Sequence, residues 1–447
     1  MDTHFQGEKL MNRTVEKNKT LLVEGPASVI MISGKAQVFG SPLTNTKIVI
    51  REGKRLPIAV EEKAEFDISS GQNAIVEEVD GNTVPSSWDS SCDELRNIQT
   101  KPIVAMILGA VDSGKSSFCT YLVNKQLLEK CKVTVLDGDL GQSDIGPPCT
   151  VAYAPVTRRI TDLFSLHAKN AFFVGVTSPA GAINKVIEGL STLKKELLEA
   201  NPDVVVINTD GWIEGEDATY YKIKLVEELN PDIIFFIQQK DELMSISNAL
   251  EKFKKVIVES PGAIRQRSSE KRRNLRELGY IKYLRNAKVQ SYPLGWLQIE
   301  ENETFGLGKR RVSDRYARQI YDLLGMKPLH FTENNNRISI IIGKKRWIKE
   351  ENLQKVEEFT KKKAVVIRKG EEEGLLIAIY NSKKEFLGIG ILQEIDYLRK
   401  AIKILTPVSE EASIVTIGAV KLDKNMKELP YFSEESRMEQ ISFSKPF

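Results

Sequence analysis

Gly109-Ala-Val-Asp-Ser-Gly-Lys-Ser116 sets two glycines, a lysine and a hydroxyl at the spacing G-x-x-x-x-G-K-[ST]. Glycines at such positions let backbone N–H groups curl around phosphate oxygens. A helix beginning there adds the partial positive charge of its N-terminus. Lys115 can reach the β- and γ-phosphates of a nucleoside triphosphate, and Ser116 can hold Mg²⁺. The flanks agree with this chemistry. Apolar Ile103-Val-Ala-Met-Ile-Leu108 reads as a strand before the loop, and Phe118-Cys-Thr-Tyr-Leu-Val123 as a helix after it. A glycine turn with a chance lysine would explain neither flank. The expected phosphate cradle is Gly109, Ala110, Val111, Asp112, Ser113, Gly114, Lys115, Ser116 and Ser117.

Three further stretches carry polar chemistry. Val135-Leu-Asp-Gly-Asp-Leu-Gly-Gln142 closes the second apolar strand. A carboxylate at the tip of a strand beside the P-loop strand would face the triphosphate, where it can order Mg²⁺ or accept a proton from an attacking hydroxyl. Asp137 and Asp139 both qualify, and either can instead be a turn or cap residue. Asn208-Thr-Asp-Gly-Trp212 ends a later strand. Thr209 can hydrogen-bond a ligand there, and Gly211 permits a tight turn. Trp212 can stack on a base or simply cap a core edge. Finally, Arg265–Arg285 holds eight basic and two acidic side chains, a local excess of six in 21 residues. Helical spacing sets Arg265, Arg272 and Arg276 roughly on one side. A charge run is usually a solvated face. After the last strand of a P-loop sheet it resembles a lid, whose arginines neutralise charge on a transferring phosphoryl group.

These segments need a scaffold. The chain has 447 residues, enough for two or three domains, with 41% hydrophobic and 28% charged residues and a net charge of +3. Residues 1–98 show short β-like runs, at Ser28–Ser33, Ala36–Phe39, Lys47–Ile50, Leu56–Val60 and Ala74–Val79, punctuated by Gly and Asn. They predict an N-terminal β-sandwich-like domain, with polar Pro85–Thr100 as the linker. Residues 99–295 alternate strand and helix patterns, with strands at 103–108, 132–137, 171–176, 203–208, 232–237 and 255–259 and a helix containing Ile183, Ile187, Leu190, Leu193 and Leu197. Continuous apolar strands such as Val204-Val-Val-Ile207 suit a parallel sheet buried on both faces. The fold class is therefore α/β, a P-loop parallel sheet with helices on both faces and a lid near 263–285. Residues 296–447 predict a connector with a helix over Val312–Leu324, then a mainly β domain.

The four cysteines form no C-x-x-C pair and the three histidines do not cluster, which disfavours a zinc site. The N-terminus carries no apolar leader pattern and no run approaches a membrane span, so the expected location is the cytoplasm. No N/T-K-x-D guanine signature appears. Gln239-Lys-Asp-Glu242 comes nearest. No protein-kinase H-R-D or D-F-G set is present either.

Four segments in this order resemble the polyribonucleotide 5′-hydroxyl kinase family. Its members include the kinase subunit of the eukaryotic mRNA cleavage and polyadenylation factor, the pre-rRNA-processing kinases and archaeal relatives. The segments are the P-loop Gly109–Ser117, the D-x-G-Q stretch Asp139–Gln142, the T-x-G-W stretch Thr209–Trp212, and the arginine pair Arg267 and Arg272. Thr177-Ser-Pro179 and Gly34–Gly40 are similar to family stretches too. Ser143-Asp-Ile-Gly-Pro-Pro148 and the compact architecture point to an archaeal member.

The resemblance implies ATP and Mg²⁺ as cofactors, and phosphoryl transfer to the 5′-hydroxyl of RNA, with DNA as a further acceptor. Lys115 would bind phosphates, Ser116 and Asp139 the metal, and Asp139 would be the general base. Gln142, Thr209, Gly211 and Trp212 would hold the substrate end, with Gln142 ordering metal or substrate. Arg267 and Arg272 would close over the phosphoryl group. RNA-processing proteins are implied as partners, and no membrane. The alternatives are an ATP-bound, non-catalytic scaffold of an RNA-processing complex, or a P-loop GTPase or ATPase acting on proteins.

Overall fold

A computed structural model describes residues 9–264, 266–301, 314–333 and 335–430. Arg265 and the start of the expected connector helix, Val312 and Ser313, lie outside them. The chain divides into two compact units. The first runs to Val174 and resumes over Ser178–Arg276, and the second takes Gly175–Thr177 and begins again at Glu277.

In the first unit, the N-terminal strands pair antiparallel in a single sheet. Its long member, Arg55–Ser70, pairs on one side with Ala27–Val38. On the other side it pairs first with Lys19–Glu24 and then with Lys9–Val15. Its side chains alternate between buried and more exposed, as a half-buried strand requires.

Pro85–Thr100 is not a linker. Ser87–Arg96 forms a helix whose Trp88, Cys92 and Leu95 share one buried face. Trp88 packs edge-on against Phe118 and Tyr121 at 5.2 and 5.4 Å and donates from Nε1 to the Glu259 carbonyl. The 4,3 spacing of those three residues was the helical signal, hidden among polar neighbours.

The P-loop sheet has seven strands. Their order is Asn170–Phe173, Thr150–Val156, Val133–Asp137, Val204–Asn208, Ile103–Gly109, Ile233–Gln238, Lys255–Glu259. The last five are parallel and apolar, as their unbroken hydrophobic runs predict. Thr150–Val156 was not expected and runs antiparallel to both neighbours, so the sheet is not wholly parallel. The order also corrects the placement of the aspartate strand. Val133–Asp137 is not beside Ile103–Gly109, because Val204–Asn208 lies between them, with Asn208 opposite Ile107 on one side and Asp137 on the other. The strand ending in Thr209–Trp212 is therefore the P-loop strand's neighbour. All three strand ends still open on the same carboxyl edge of the sheet, where α/β folds place ligands.

The second unit contains a six-stranded sheet, with its own apolar core around Ile377, Ile402, Ile404 and Val415. It also holds a three-stranded sheet of His330–Glu333, Arg337–Ile342 and Lys363–Arg368, packed with helices Asp314–Leu324 and Glu350–Thr360. The second of these helices was not anticipated. No helix among the described residues is long and apolar enough to cross a membrane.

Candidate active site

The P-loop strand is buried along its length and delivers the chain into the glycine loop. Gly114, at φ +100°, caps the helix Lys115–Leu128. The first N–H groups of that helix have no intrahelical acceptor and point into the loop, with Ser116 and Ser117 in the first turn. Lys115 is buried and donates from Nζ to the carbonyls of Ala110 (2.6 Å) and Gly109 (3.0 Å). Burial lowers its pKa to about 8. The Ser113 hydroxyl is buried with no hydrogen-bond partner among the described residues. An orphaned hydroxyl, a lysine resting on loop carbonyls and open helix N–H groups form a donor set that fits the phosphates of a nucleotide.

The two aspartates divide. Asp137 is fully buried, and both of its oxygens are occupied. Asn208 Nδ2 and Asp139 N donate to Oδ1, and Asp144 N and Ile145 N donate to Oδ2. It organises the turn, and burial raises its pKa to about 7, with Asp144 and Asp139 adding to the effect. Asp139 uses only Oδ1, which accepts from Gly141 N (3.0 Å) and Gln142 N (2.9 Å). Its Oδ2 accepts no hydrogen bond among the described residues. Burial, then the neighbouring Asp210, raise the Asp139 pKa to about 6, against the pull of Lys115. Ser116 and Asp139 are hard oxygen donors of the type that Mg²⁺ takes.

The T-x-G-W stretch is built differently from the expectation. Thr209 is buried, and its hydroxyl donates to Ile107 O at 2.8 Å, pinning this strand to the P-loop strand. Only its lone pairs remain for a ligand. Gly211 is needed for close approach rather than for a left-handed turn, since a Cβ there would stand 2.6 Å from the backbone of Val111. Trp212 is half-buried and stacks on Tyr221 at 5.9 Å with planes 26° apart.

Arg267 precedes the helix Ser269–Tyr283, and Arg272 lies in its first turns. Both guanidinium groups face Asp112 of the phosphate loop, at 3.5 and 3.6 Å. Gln142 Nε2 donates to the Arg272 carbonyl, which couples the D-x-G-Q turn to the helix Ser269–Tyr283. Arg265 lies outside the described residues, and the helix that carries Arg272 and Arg276 starts at Ser269.

Residues 109–286 match the model of the family described as the mRNA cleavage and polyadenylation factor CLP1 P-loop. This stretch of the chain, from the phosphate loop to the end of the helix after the last sheet strand, is similar to that family. The chain is 27% identical over 344 residues to a polyribonucleotide 5′-hydroxyl-kinase of Methanocaldococcus jannaschii, covering 75% of this chain and 91% of that protein. A polyribonucleotide 5′-hydroxyl-kinase of Pyrococcus furiosus is 28% identical over 339 residues, covering 75% and 92%. A solved structure of Clp1p in complex with a segment of Pcf11p shares the fold, with a TM-score of 0.64 at 13% identity over 92% of this chain and 98% of that one.

Sequence reasoning missed the group beneath Trp212. Asp210 Oδ2 accepts from Lys222 Nζ (2.8 Å) and Tyr221 OH (2.9 Å), and Oδ1 accepts from Trp212 N (2.9 Å). Lys222 also donates to Asp210 O, and its side chain is fully buried. A lysine four residues beyond a Glu-Asp-Ala helix start reads as solvent-facing, so only the long-range partner reveals it. Arg51, from the N-terminal sheet's loops, is likewise unexpected. It pairs with Asp144 and Asp162 at 2.7 Å, and these carboxylates keep it charged despite burial.

Proposed function

We propose that this chain is an ATP-dependent polynucleotide 5′-hydroxyl kinase acting on RNA, with DNA as a further acceptor. The observation that carries the proposal is the pairing of a P-loop with Asp139, whose Oδ2 accepts no hydrogen bond among the described residues and which follows a strand ending on the same carboxyl edge of the sheet as the strand before Trp212. A nucleotide-binding scaffold needs the loop but has no use for an unoccupied carboxylate and two gathered arginines.

In this reading Lys115 and the loop N–H groups hold the triphosphate. Ser116 and Asp139 would hold Mg²⁺, which when bound neutralises charge on the phosphate oxygens. The 5′-hydroxyl donates its proton to Asp139 Oδ2 as its oxygen bonds to the γ-phosphorus. The bond from that phosphorus to the β,γ-bridging oxygen breaks, and ADP leaves. Arg267 and Arg272 offer N–H donors to the equatorial oxygens. Trp212 stacks on the terminal base, and its backing by Tyr221 fixes the ring plane. Positioning and electrostatics supply most of such catalysis.

The base of the nucleotide has a place to go. An open hollow of about 540 Å³ is lined by Asp80, Asn82, Thr83, Pro85, Ser260 and Gly262 among others. The loop that walls it touches the P-loop, where Ser260 Oγ donates to Ser113 O.

The test uses two RNA oligonucleotides of one sequence, one ending in 5′-OH and one in 5′-phosphate, each incubated with ATP and Mg²⁺. The 5′-OH strand should become sensitive to a 5′-phosphate-dependent exonuclease while the other is unchanged. A protein that binds ATP but leaves the 5′-OH strand resistant is the scaffold. Rapid ATP hydrolysis without RNA would favour an ATPase acting on proteins.

A further inference from the structure

Asp112 is an odd residue for a phosphate loop. It carries a negative charge where a triphosphate is to sit, and its backbone is left-handed, at φ +55°, where glycine is the unstrained choice. Its carboxylate is only 9% exposed. Three groups from the lid converge on it. The backbone N–H of Arg267 donates to Oδ2 at 2.8 Å. Arg267 Nη1 lies 3.5 Å from Oδ1, and Arg272 Nη1 lies 3.6 Å from Oδ2. Arg272 Nη1 also donates to Arg267 O at 2.6 Å, so the two lid residues are tied to each other. Arg267 Nη2 reaches Gly53 O at 3.1 Å.

The separations matter. At 3.5 Å and beyond, the guanidinium groups are attracted to the carboxylate but are not in full hydrogen-bonded forks with it. They are gathered by charge while guanidinium N–H donors remain for another oxyanion. One carboxylate against two cations leaves a net positive charge facing the loop. The backbone bond from Arg267 fixes where the lid meets that loop.

We propose that Asp112 is the lid's anchor: a positioning residue in the phosphate loop that aligns Arg267 and Arg272 for the transferring phosphoryl group. The alignment rests on the kinase reading, whereas the anchoring of the lid does not. Asp112 offsets its own repulsion of the triphosphate by drawing both arginines to the place where negative charge develops. A glycine would relax the backbone and leave the lid untethered.

Two variants separate charge from shape. Asp112→Gly suits the φ and removes every contact, and Asp112→Asn keeps an acceptor for the Arg267 amide but not the charge. Hydrogen exchange over residues 266–276 reads the anchor without any catalysis. It should quicken in Asp112→Gly, with the Arg267 amide most affected, and stay near wild type in Asp112→Asn. Unchanged exchange in Asp112→Gly would overturn the anchor whatever the reaction is.

Single-turnover transfer to 5′-OH RNA reads the alignment. Both variants should slow transfer by at least about tenfold with ATP affinity retained, since an ångström of misplacement can cost roughly a hundredfold. In an Arg272→Met background, Asp112→Asn should add much less than it does alone. Equal losses in both backgrounds would mean that Asp112 does not act through the arginine. Absence of transfer by the wild type would sink the kinase reading and the alignment together, while the exchange result still decides the anchor.

Discussion

Replacing Lys222 by methionine tests the buried support of the Trp212 turn. The Lys222 side chain has no exposure, and its ammonium makes two bonds, 2.8 Å to Asp210 Oδ2 and 2.9 Å to Asp210 O. Methionine keeps the length and apolar stem but leaves a buried carboxylate without its counter-charge. Removing one partner of a buried pair costs about 3–5 kcal/mol. Asp210 would still accept from Tyr221 OH and Trp212 N, so the lower end, about 3 kcal/mol, is expected. In a unit of this size each kcal/mol lowers the melting midpoint by roughly 2–4 °C, giving a fall of roughly 6–12 °C. Thermal unfolding followed by circular dichroism measures it. Asp210→Asn in the same chain removes the stranded charge while keeping an acceptor, so the double variant should recover much of the loss. A fall of less than about 2 °C, or strictly additive losses in the double variant, would refute the buried-pair account.

Trp212→Ala should raise the KM for 5′-OH RNA by roughly 5- to 150-fold, the equivalent of ~1–3 kcal/mol of stacking, with the KM for ATP nearly unchanged. Equal changes in both would argue against a base-stacking role. The pH profile of kcat/KM should be a bell. Asp139 must be ionised to accept a proton, and its pKa is raised to about 6, so the rate rises as pH climbs through that value. Lys115, lowered to about 8, loses its charge as pH climbs further, so the rate falls on the alkaline side. A profile flat from pH 5 to 7 would remove Asp139 from the role of base.

What was legible in the sequence was the local chemistry. Gly109–Ser116 declares itself because phosphate binding by backbone needs its residues contiguous, and the parallel strands show as unbroken apolar runs. Strand order was not legible, because nothing in Val133–Asp137 or Val204–Asn208 says which lies beside Ile103–Gly109. Thr150–Val156 was missed because Pro155 argues against a strand. Its pairing with Asn170–Phe173 ends at Tyr153, so the proline's missing N–H interrupts nothing on that side. Asp137 and Asp139 look equivalent on paper. Four donors on one and a free oxygen on the other separate them, and those donors come from as far away as Asn208. For Thr209 and Gly211 the sequence suggests a ligand bond and a turn, and the structure gives them strand pinning and close packing on Val111, which only the fold reveals. Nothing around Asp112 in the sequence points to its partners, because Arg267 and Arg272 lie more than 150 residues on.

The most direct measurement is the fate of the γ-phosphate. The protein is incubated with Mg²⁺, γ-labelled ATP and a 5′-OH RNA, and the RNA is digested to nucleotides to locate the label. Asp139→Asn runs alongside, after its nucleotide binding has been confirmed. The account predicts label on the 5′-terminal nucleotide alone, lost in Asp139→Asn while ATP binding persists. Wild-type protein that binds ATP yet transfers nothing, or an Asp139→Asn protein that transfers at the wild-type rate, would contradict it.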